Sequence, residues 1–280
     1  MPRFLAFLAL LAAGVFGPAR AETTECVNIT SLPAVITSQG NYCLKQDLST
    51  VIATGSAIAI NTNNVTLDCN NWKIGGVAAG LGTNARGIGA SNRLNITIRN
   101  CGIRGFYAGI ELLDGAGHLI EDNRLDQNTV VGIQLRGDGN VVRHNRIVDT
   151  GGRPDSSVSY GINIYSGSSG TLVRDNIIIN VTATAASSTS FGMRFGGTGH
   201  EIAQNLFSNM LAGAGGTAYG TYGAGGAIAS LRDNTAFNPA ATVGVGIDGG
   251  DSTSHCKGNS VHGFNSGLAY CTDFGGNSAN

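Results

Sequence analysis

Apolar and polar positions along the chain repeat as two short phrases. The phrase at 109–112, Gly-Ile-Glu-Leu, returns at 132–135 as Gly-Ile-Gln-Leu. The phrase at 120–123, Ile-Glu-Asp-Asn, returns at 142–145 as Val-Arg-His-Asn. A short strand-like phrase that recurs every twenty-odd residues is typical of a solenoid, in which each unit buries its apolar face against its neighbours.

Both phrases can be traced through most of the chain. An apolar residue, two variable residues and Asn form one signature, which ends at Asn70, Asn123, Asn145, Asn176, Asn205, Asn234, Asn259 and Asn277, with Cys101 in the same position of one coil. Gly before an alternating strand forms the other, at Gly87, Gly109, Gly132, Gly161, Gly192, Gly220, Gly246 and Gly267, with Ala57 in the first coil. This regularity predicts about nine stacked coils.

The alternation within each coil predicts a parallel β-solenoid. It directs Ile110, Ile133, Ile162 and Met193 inward, and stacking places equivalent residues about 4.8 Å apart. The Asn position fits a turn, because Asn tolerates left-handed backbone and its amide can bond the copy one coil away. No stretch after the N-terminal segment has sustained helical spacing, so we predict an all-β fold.

The N-terminus has the pattern of a secretory signal peptide. Arg3 precedes an apolar run at 4–11, and Ala-Arg-Ala at 19–21 offers a cleavage site. The run is too short to span a bilayer, and no later segment is apolar enough to do so. We predict a signal peptide at 1–21, an N-terminal cap at 22–56 and a β-helix at 57–280, in a secreted or periplasmic protein.

Cysteine and charge usage narrow the class further. Six cysteines in an exported chain favour disulfides, and the cap and the coil register pair them as Cys26–Cys43, Cys69–Cys101 and Cys256–Cys271. A net charge of −1, with charged residues at 12%, lacks the basic footprint of a nucleic-acid-binding protein. The regularly placed apolar residues argue against disorder, although 43 of the 280 residues are Gly.

Coils of Gly-Ile-x-Leu, then apolar-x-x-Asn, then a third short strand resemble the right-handed parallel β-helix of the pectin-lyase-like superfamily. The resemblance covers residues 57–280 and implies that fold. The superfamily includes pectate lyases, polygalacturonases, epimerases, phage tailspikes and repeat proteins without catalysis, so the resemblance implies no single activity. The adjacent Asp-Asp, the Gly-His-Gly and the Arg-Ile-Lys of polygalacturonases are missing from this sequence.

Substrates of that superfamily usually lie along the outer face of one sheet, here expected to be the Gly-Ile-x-Leu sheet. Its outward positions give the predicted substrate-binding residues Gln134, Arg136, Asn163, Tyr165, Arg194, Tyr222 and Asp248. Three consecutive enlarged loops, at 149–160, 180–191 and 209–219, should enter this face. They are either functional or tolerated insertions.

A second outward column precedes the Asn position and contains Arg99, Glu121, Arg143, Arg174, Arg232 and Lys257. One interpretation is a basic stripe for an acidic polysaccharide. We favour a structural interpretation, in which Glu121 lies between Arg99 and Arg143 in cross-strand pairs. The five histidines fall on different coils without metal-ligand spacing and are interpreted as turn and surface residues.

These features predict a secreted protein that binds a polysaccharide or cell-surface glycan, and that could cleave or modify it as a lyase or glycoside hydrolase. Glu111 and Arg194 are the catalytic candidates. Glycoside hydrolysis needs two carboxyls about 5–9.5 Å apart, whereas Glu111 and Asp248 lie five coils apart, roughly 24 Å. The alternative is a non-catalytic surface protein for adhesion or display. No cofactor or metal is expected; calcium remains open, without a clear site.

Overall fold

A computed structural model of the protein describes residues 25–279, apart from the side chains of residues 240 and 241. The predicted signal peptide at 1–21 lies outside the described residues. The described chain forms 27 strands and one short 3-10 helix at Val77–Ala79. Strands pair in parallel with the equivalent strand one coil away, as the solenoid prediction requires.

The strands stack into three sheets joined at three corners. The front sheet carries the Gly-Ile-x-Leu phrase and contains β2 (Ala34–Ile36), β5 (Ser56–Ile60), β8 (Arg86–Ser91), β11 (Ala108–Ala116), β14 (Val131–Asp138) and β17 (Val158–Ile164). The second sheet contains β1 (Val27–Asn28), β3 (Gly40–Cys43), β6 (Val65–Asp68), β9 (Ile96–Arg99), β12 (Leu119–Glu121), β15 (Val141–Arg143), β18 (Leu172–Arg174), β24 (His255–Lys257) and β26 (Thr272–Asp273).

The third sheet completes each coil. It contains β4 (Leu48–Ser49), β7 (Lys73–Gly75), β10 (Gly102–Arg104), β13 (Arg124–Asp126), β16 (Arg146–Gly151), β19 (Ile177–Thr182), β21 (Leu206–Leu211) and β27 (Ser278–Ala279). Four long strands continue around a corner: β20 (Thr189–Ala203) and β22 (Thr217–Arg232) run from the front sheet into the second, and β23 (Thr235–Asp248) and β25 (Ser260–Ala269) run from the third sheet into the front.

The predicted glycine column is confirmed by the register of the front sheet. Gly132 pairs with Gly109 on one side and Gly161 on the other. A Cβ atom on Gly132 would lie 2.6 Å from the carbonyl oxygen of Gly161 and 2.7 Å from a methyl carbon of Ile147. Gly161 stands in the same relation to Gly192, at 2.5 Å. Glycine recurs because the backbone of the next coil occupies the space of a side chain.

The interior is one continuous apolar core. The inward residues of the front sheet, Ile110, Ile133, Ile162 and Met193, are fully buried, as predicted. They belong to a single cluster that extends from Ile29 to Phe264. No helix in the described part of the chain is both long and apolar enough to cross a membrane.

Asparagines form a buried ladder at the corner between the second and third sheets. Each Nδ2 donates to the Oδ1 of the next Asn at 2.9–3.1 Å, through Asn123, Asn145, Asn176, Asn205, Asn234, Asn259 and Asn277. Each Oδ1 also accepts the backbone N–H of the ladder residue before it. The predicted amide bonding between coils is therefore confirmed.

Two details of that prediction are wrong. The left-handed residue is the one before the Asn, as at Asp122, His144 and Asp175, and the Asn that follows it is buried. Asn70 does not join the ladder, because its turn is two residues longer: Leu67 and Ile74 pair with Ile98 and Ile103. Asn70 is consequently exposed.

Histidine has a comparable function at the corner between the front and second sheets. The Nδ1 of His118 accepts the backbone N–H of Ile96 at 3.2 Å, and the Nδ1 of His200 accepts that of Thr171 at the same distance. Both rings are buried, so their interpretation as surface residues was wrong. Burial lowers the pKa of His118 to about 4.

All three predicted disulfides are present. Cys26–Cys43, Cys69–Cys101 and Cys256–Cys271 have Cα separations of 5.7, 4.7 and 5.8 Å. The first ties the N-terminal segment, whose strands β2, β3 and β4 pair in parallel with β5, β6 and β7. The segment predicted as a cap thus contributes strands to the same sheets, and its boundary at residue 56 stays a prediction.

We expect Asn176→Ala to lower the free energy of unfolding by about 2–4 kcal/mol, because it leaves the backbone N–H of Asn145 without its acceptor inside the core and removes the amide donor to the Val142 carbonyl. Urea unfolding at neutral pH measures the change. Asn41→Ala is the matched control, since Asn41 is an exposed strand residue, and it should change the value by less than about 0.5 kcal/mol. Equal effects of the two substitutions would contradict a stabilising ladder.

Because His118 is buried and its pKa is lowered, we expect the protein to lose stability in acid. Its lowered pKa means that the unfolded chain takes up a proton below about pH 6.5, whereas the folded chain does so only near pH 4. Stability present above pH 6.5 is therefore lost as pH falls to 4, by roughly 2–4 kcal/mol. His118→Asn keeps an acceptor, as Asn140 shows one coil on, and should remove this contribution. Urea unfolding from pH 4 to 8 tests it; parallel profiles for the two proteins would contradict it.

Candidate functional site

The outward side chains of the front sheet form a hydrogen-bonded row, which we call the polar ladder. The Nε of Arg86 donates to Glu111 at 2.6 Å, and the Nε2 of Gln134 donates to the other Glu111 oxygen at 2.7 Å. Asn163 donates to Gln134 at 3.5 Å, and Arg194 donates to Asn163 at 3.3 Å. The predicted register of this column is therefore correct, and its members are bonded to one another.

Most of the polar ladder is covered although it points outward. Glu111, Gln134 and Asn163 are only 7%, 5% and 2% exposed, whereas Arg194 is partly exposed. Residues that contact substrate need accessible polar atoms. In this column the accessible polar side chains therefore begin at Arg194 and not, as predicted, at Gln134. Glu111 in particular has both carboxylate oxygens engaged, by Arg86 and Gln134.

An aromatic row beside the polar ladder was missed in the sequence. Tyr160 and Phe191 stack with ring centroids 5.1 Å apart, and Phe191 and Tyr219 stack at 5.3 Å, with planes within 13° of parallel. We call these three residues the aromatic ladder. Each precedes the Gly of its coil, at the end of one of the three enlarged loops. Aromatic residues in that position of three successive coils were the available signal.

Tyr222 joins the two rows. Its ring lies 5.4 Å from Phe191 and 4.8 Å from Tyr219, and its register position comes one coil after that of Arg194. Tyr222 is partly exposed, like Tyr160 and Tyr219. The structure therefore brings predicted residues and missed residues together into one partly open surface of aromatic rings beside a guanidinium group.

Arg194 has no carboxylate partner among the ion pairs of residues 25–279. The other arginines of this face are paired: Arg86 with Glu111 at 2.6 Å, and Arg136 with Asp114 at 2.5 Å. Arg194 instead donates a hydrogen bond to the neutral amide of Asn163. The positive charge of Arg194 is therefore not offset by a carboxylate of the described chain, whereas that of Arg136 is offset by Asp114.

The predicted residues Arg136 and Tyr165 lie on the far side of the polar ladder from the aromatic ladder. The guanidinium of Arg136 is stacked over the ring of Tyr165, 5.8 Å from its centroid. Burial raises the pKa of Tyr165, and nearby Tyr107 and Glu111 raise it further.

Asp248 lies one coil beyond Tyr222 and is 3% exposed. One of its carboxylate oxygens accepts the backbone N–H of Gly250 at 2.8 Å. Burial raises the pKa of Asp248 to about 6, although the backbone N–H groups of Gly250 and Gly223 act to lower it. Asp248 can therefore exchange a proton near neutral pH, but Glu111, the other buried acid of this face, lies five coils away.

The charged column of the second sheet is largely neutralised. Arg143 bonds Glu121 at 2.7 Å, and Arg232 bonds Glu201. The expected contact between Arg99 and Glu121 is wrong, because Arg99 bonds Asp68 of the preceding coil at 2.8 Å. Within residues 25–279, no group of three or more His, Cys, Asp or Glu side chains is arranged to hold a metal ion.

The raised pKa of Asp248 leads us to expect a second pH dependence of stability, opposite in sign to that caused by His118. Because its folded pKa is raised, its contribution to stability is fully present below about pH 3.8 and is lost as pH rises through about 6. Asp248→Asn should remove this loss, so the variant should gain roughly 2–3 kcal/mol relative to wild type between pH 4 and pH 7.5. Urea unfolding of both proteins at the two pH values measures it, and a constant difference would refute the assignment.

Several solved structures are similar to this chain. The Dettilon tailspike protein is 14% identical, with a TM-score of 0.44 over 89% of this chain and 56% of its own, so the chain spans about half the length of the tailspike. The catalytic domain of an α-1,3-glucanase in complex with nigerose is 12% identical, with a TM-score of 0.44 over 93% of this chain and 70% of its own. An exopolygalacturonase from Thermotoga maritima is 8% identical, with a TM-score of 0.42 over 88% and 84%.

No curated protein matches the chain. The family model described as the right-handed β-helix region matches residues 35–198, more than half of the 280 residues. This match agrees with the parallel coils, the stacked glycines and the asparagine ladder of the structure. The chain belongs to the right-handed β-helix family.

Proposed function

We propose that this protein is exported and binds a polysaccharide chain along the front sheet. The observation that carries the proposal is the set of partly exposed rings of Tyr160, Tyr219 and Tyr222, packed on the buried Phe191, with Arg194, which has no carboxylate partner among the described residues, one coil from Tyr222. Aromatic rings offer large apolar contact area, and a few fixed polar groups beside them orient a ligand. The partly exposed tyrosines span three successive coils, which suits an extended ligand.

Arg194 favours a glycan that carries carboxylate groups. A guanidinium group binds a carboxylate through two parallel hydrogen bonds, and such charge-assisted bonds are stronger than neutral ones. Arg194 is the register neighbour of Tyr222, so a sugar packed on Tyr222 would place its substituents near the guanidinium group. We therefore propose an acidic polysaccharide as the ligand class.

Binding fits the surface better than cleavage. Hydrolysis would need two carboxyls about 5–9.5 Å apart, and the two most buried acids of this face, Glu111 and Asp248, are separated by roughly 24 Å. Both oxygens of Glu111 are also held by Arg86 and Gln134. Asp248, with its raised pKa, is the group of this face best suited to proton transfer, so it is where a weak activity should be sought.

The three disulfides support the export part of the proposal. Disulfides form and persist in oxidising compartments and are rare in the cytosol. Each of the six cysteines among the described residues is paired, and Cys69–Cys101 and Cys256–Cys271 join consecutive coils. We propose a secreted or periplasmic location.

The binding proposal predicts a loss of affinity on Arg194→Ala and on Tyr222→Ala. Isothermal titration with polygalacturonate and alginate as acidic probes, and dextran as a neutral probe, should show acidic-probe binding that weakens at least about tenfold in each variant. Wild-type affinity should fall with added salt, and the Arg194→Ala affinity should depend on salt less. Arg146→Ala is the control, since Arg146 is exposed on the third sheet.

Two outcomes would count against this function. Absence of binding to every probe would overturn it, and so would equal affinities of wild type, Arg194→Ala and Arg146→Ala. Assays for unsaturated ends and new reducing ends on the same samples decide between binding and catalysis. Any turnover that persists in Asp248→Asn would exclude Asp248 as its proton-transfer group.

A further inference from the structure

The first enlarged loop crosses neighbouring coils instead of staying within its own. We call residues 152–157, between β16 and β17, the strap. Arg153, at its start, donates from one terminal nitrogen to the carbonyl of Thr83 at 2.8 Å and to Oδ1 of Asn84 at 2.9 Å. Those residues are 70 and 69 positions earlier in the chain, in the connection that leads into β8. The strap therefore spans the two intervening coils, those of Gly109 and Gly132, whose connections between the third and front sheets are short.

Arg153 is the residue that fastens the strap. Its side chain is only 13% exposed, while Pro154 and Asp155 beside it are exposed. Asp155 accepts from its Nε at 2.6 Å and from a terminal nitrogen at 3.1 Å. The backbone carbonyl of Arg153 also accepts from the Thr184 hydroxyl at 3.4 Å, in the next enlarged loop. One side chain thus connects coils that are not adjacent.

Tyr107 lies beneath Arg153. The guanidinium is 5.7 Å from the centroid of the Tyr107 ring, in a cation–π contact. Tyr107 in turn packs on Ala108, Val130 and Val131, which form a buried apolar cluster separate from the main core. Arg153, Tyr107 and this cluster therefore form a wall on the outside of the front sheet.

The wall stands in line with the aromatic ladder. By strand register, Ala108 and Val131 occupy the same column as Tyr160, Phe191 and Tyr219. Both are fully buried, whereas Tyr160 is partly exposed. In the other direction the column continues with Val245 and Ser266, which are partly exposed. The surface is thus closed at the Tyr160 end and open at the Tyr219 end.

We propose that the strap makes the binding surface one-ended, so that it receives the terminus of a glycan chain rather than an internal stretch. Arg153 is a positioning residue in this arrangement: it fastens the strap and holds Tyr107 over the cluster. The inference rests on the proposed function for its ligand. The closure itself is a property of this chain and can be measured without a glycan.

The first experiment tests the closure. Arg153→Ala should increase hydrogen exchange of peptides covering 152–157 at least about tenfold, because the strap loses its contacts with Thr83 and Asn84. Uncovering the cluster should also raise the fluorescence of the apolar dye ANS. Asn84→Ala removes one acceptor of Arg153 without changing any residue of the strap, and it should give a smaller change in the same direction. Arg146→Ala, on the strand that leads into the strap, should behave as wild type.

The second experiment tests the one-ended site. At equal uronate concentration, tetragalacturonate presents many more chain ends than long polygalacturonate. Wild type should therefore bind the tetramer at least about tenfold more tightly per uronate residue. In Arg153→Ala this ratio should approach one, because an internal stretch could then pass over the opened end. A general loss of structure would lower both affinities without changing their ratio.

The outcomes separate this inference from the proposed function. Exchange and dye fluorescence equal to those of Arg146→Ala would overturn the role of Arg153, whatever binds. A wild-type ratio near one would overturn chain-end recognition while leaving polysaccharide binding in place. If neither probe binds, the proposed function and chain-end recognition fail together, and the exchange data still decide whether Arg153 closes the surface.

Discussion

The register of the backbone hydrogen bonds between coils is the constraint on which the rest of this structure depends. Because strands stack about 4.8 Å apart in parallel, each residue has its equivalents directly above and below it. At the corners the strands end, and the backbone N–H groups left there are buried. The side chains of Asn176 and His118 accept such N–H groups from neighbouring coils, so these buried donors are paired.

The same register governs the outer surface. Side chains in one column are close enough to interact, so a column can be occupied only by groups that tolerate their copies. Amides and stacked rings do so readily, whereas charged groups need a partner of opposite sign in the next coil, as Glu121 and Arg143 show. Arg194 departs from this rule, because its neighbours in the column are Asn163 and Tyr222. That departure is the reason we propose Arg194 as the contact for an anionic ligand.

Counting along the repeat was enough to predict the features that depend on register alone: the glycine column, the inward apolar residues, the Cys69–Cys101 and Cys256–Cys271 disulfides and the outward column. Burial of Glu111, the pairing of Arg99 with Asp68 and the exposed position of Asn70 could not be predicted, because they depend on side-chain rotamers and on turn length. The contact between Arg153 and Thr83 joins residues 70 positions apart through an irregular loop, and no periodicity encodes it.

The features that periodicity could not predict include those on which the proposed function is based. A solenoid with identical coils presents the same surface at every coil, so its surface would not favour one position or one direction of a bound ligand. A preferred position and direction of a bound ligand can come only from departures from the repeat. In the described part of this chain these are the three enlarged loops, the aromatic residues that end them, Arg194 without a carboxylate partner, and the strap fastened by Arg153. All of these departures involve the coils from Gly87 to Gly220. Because the asparagine ladder holds those coils in place from inside, the outer surface can change residue by residue without changing the fold.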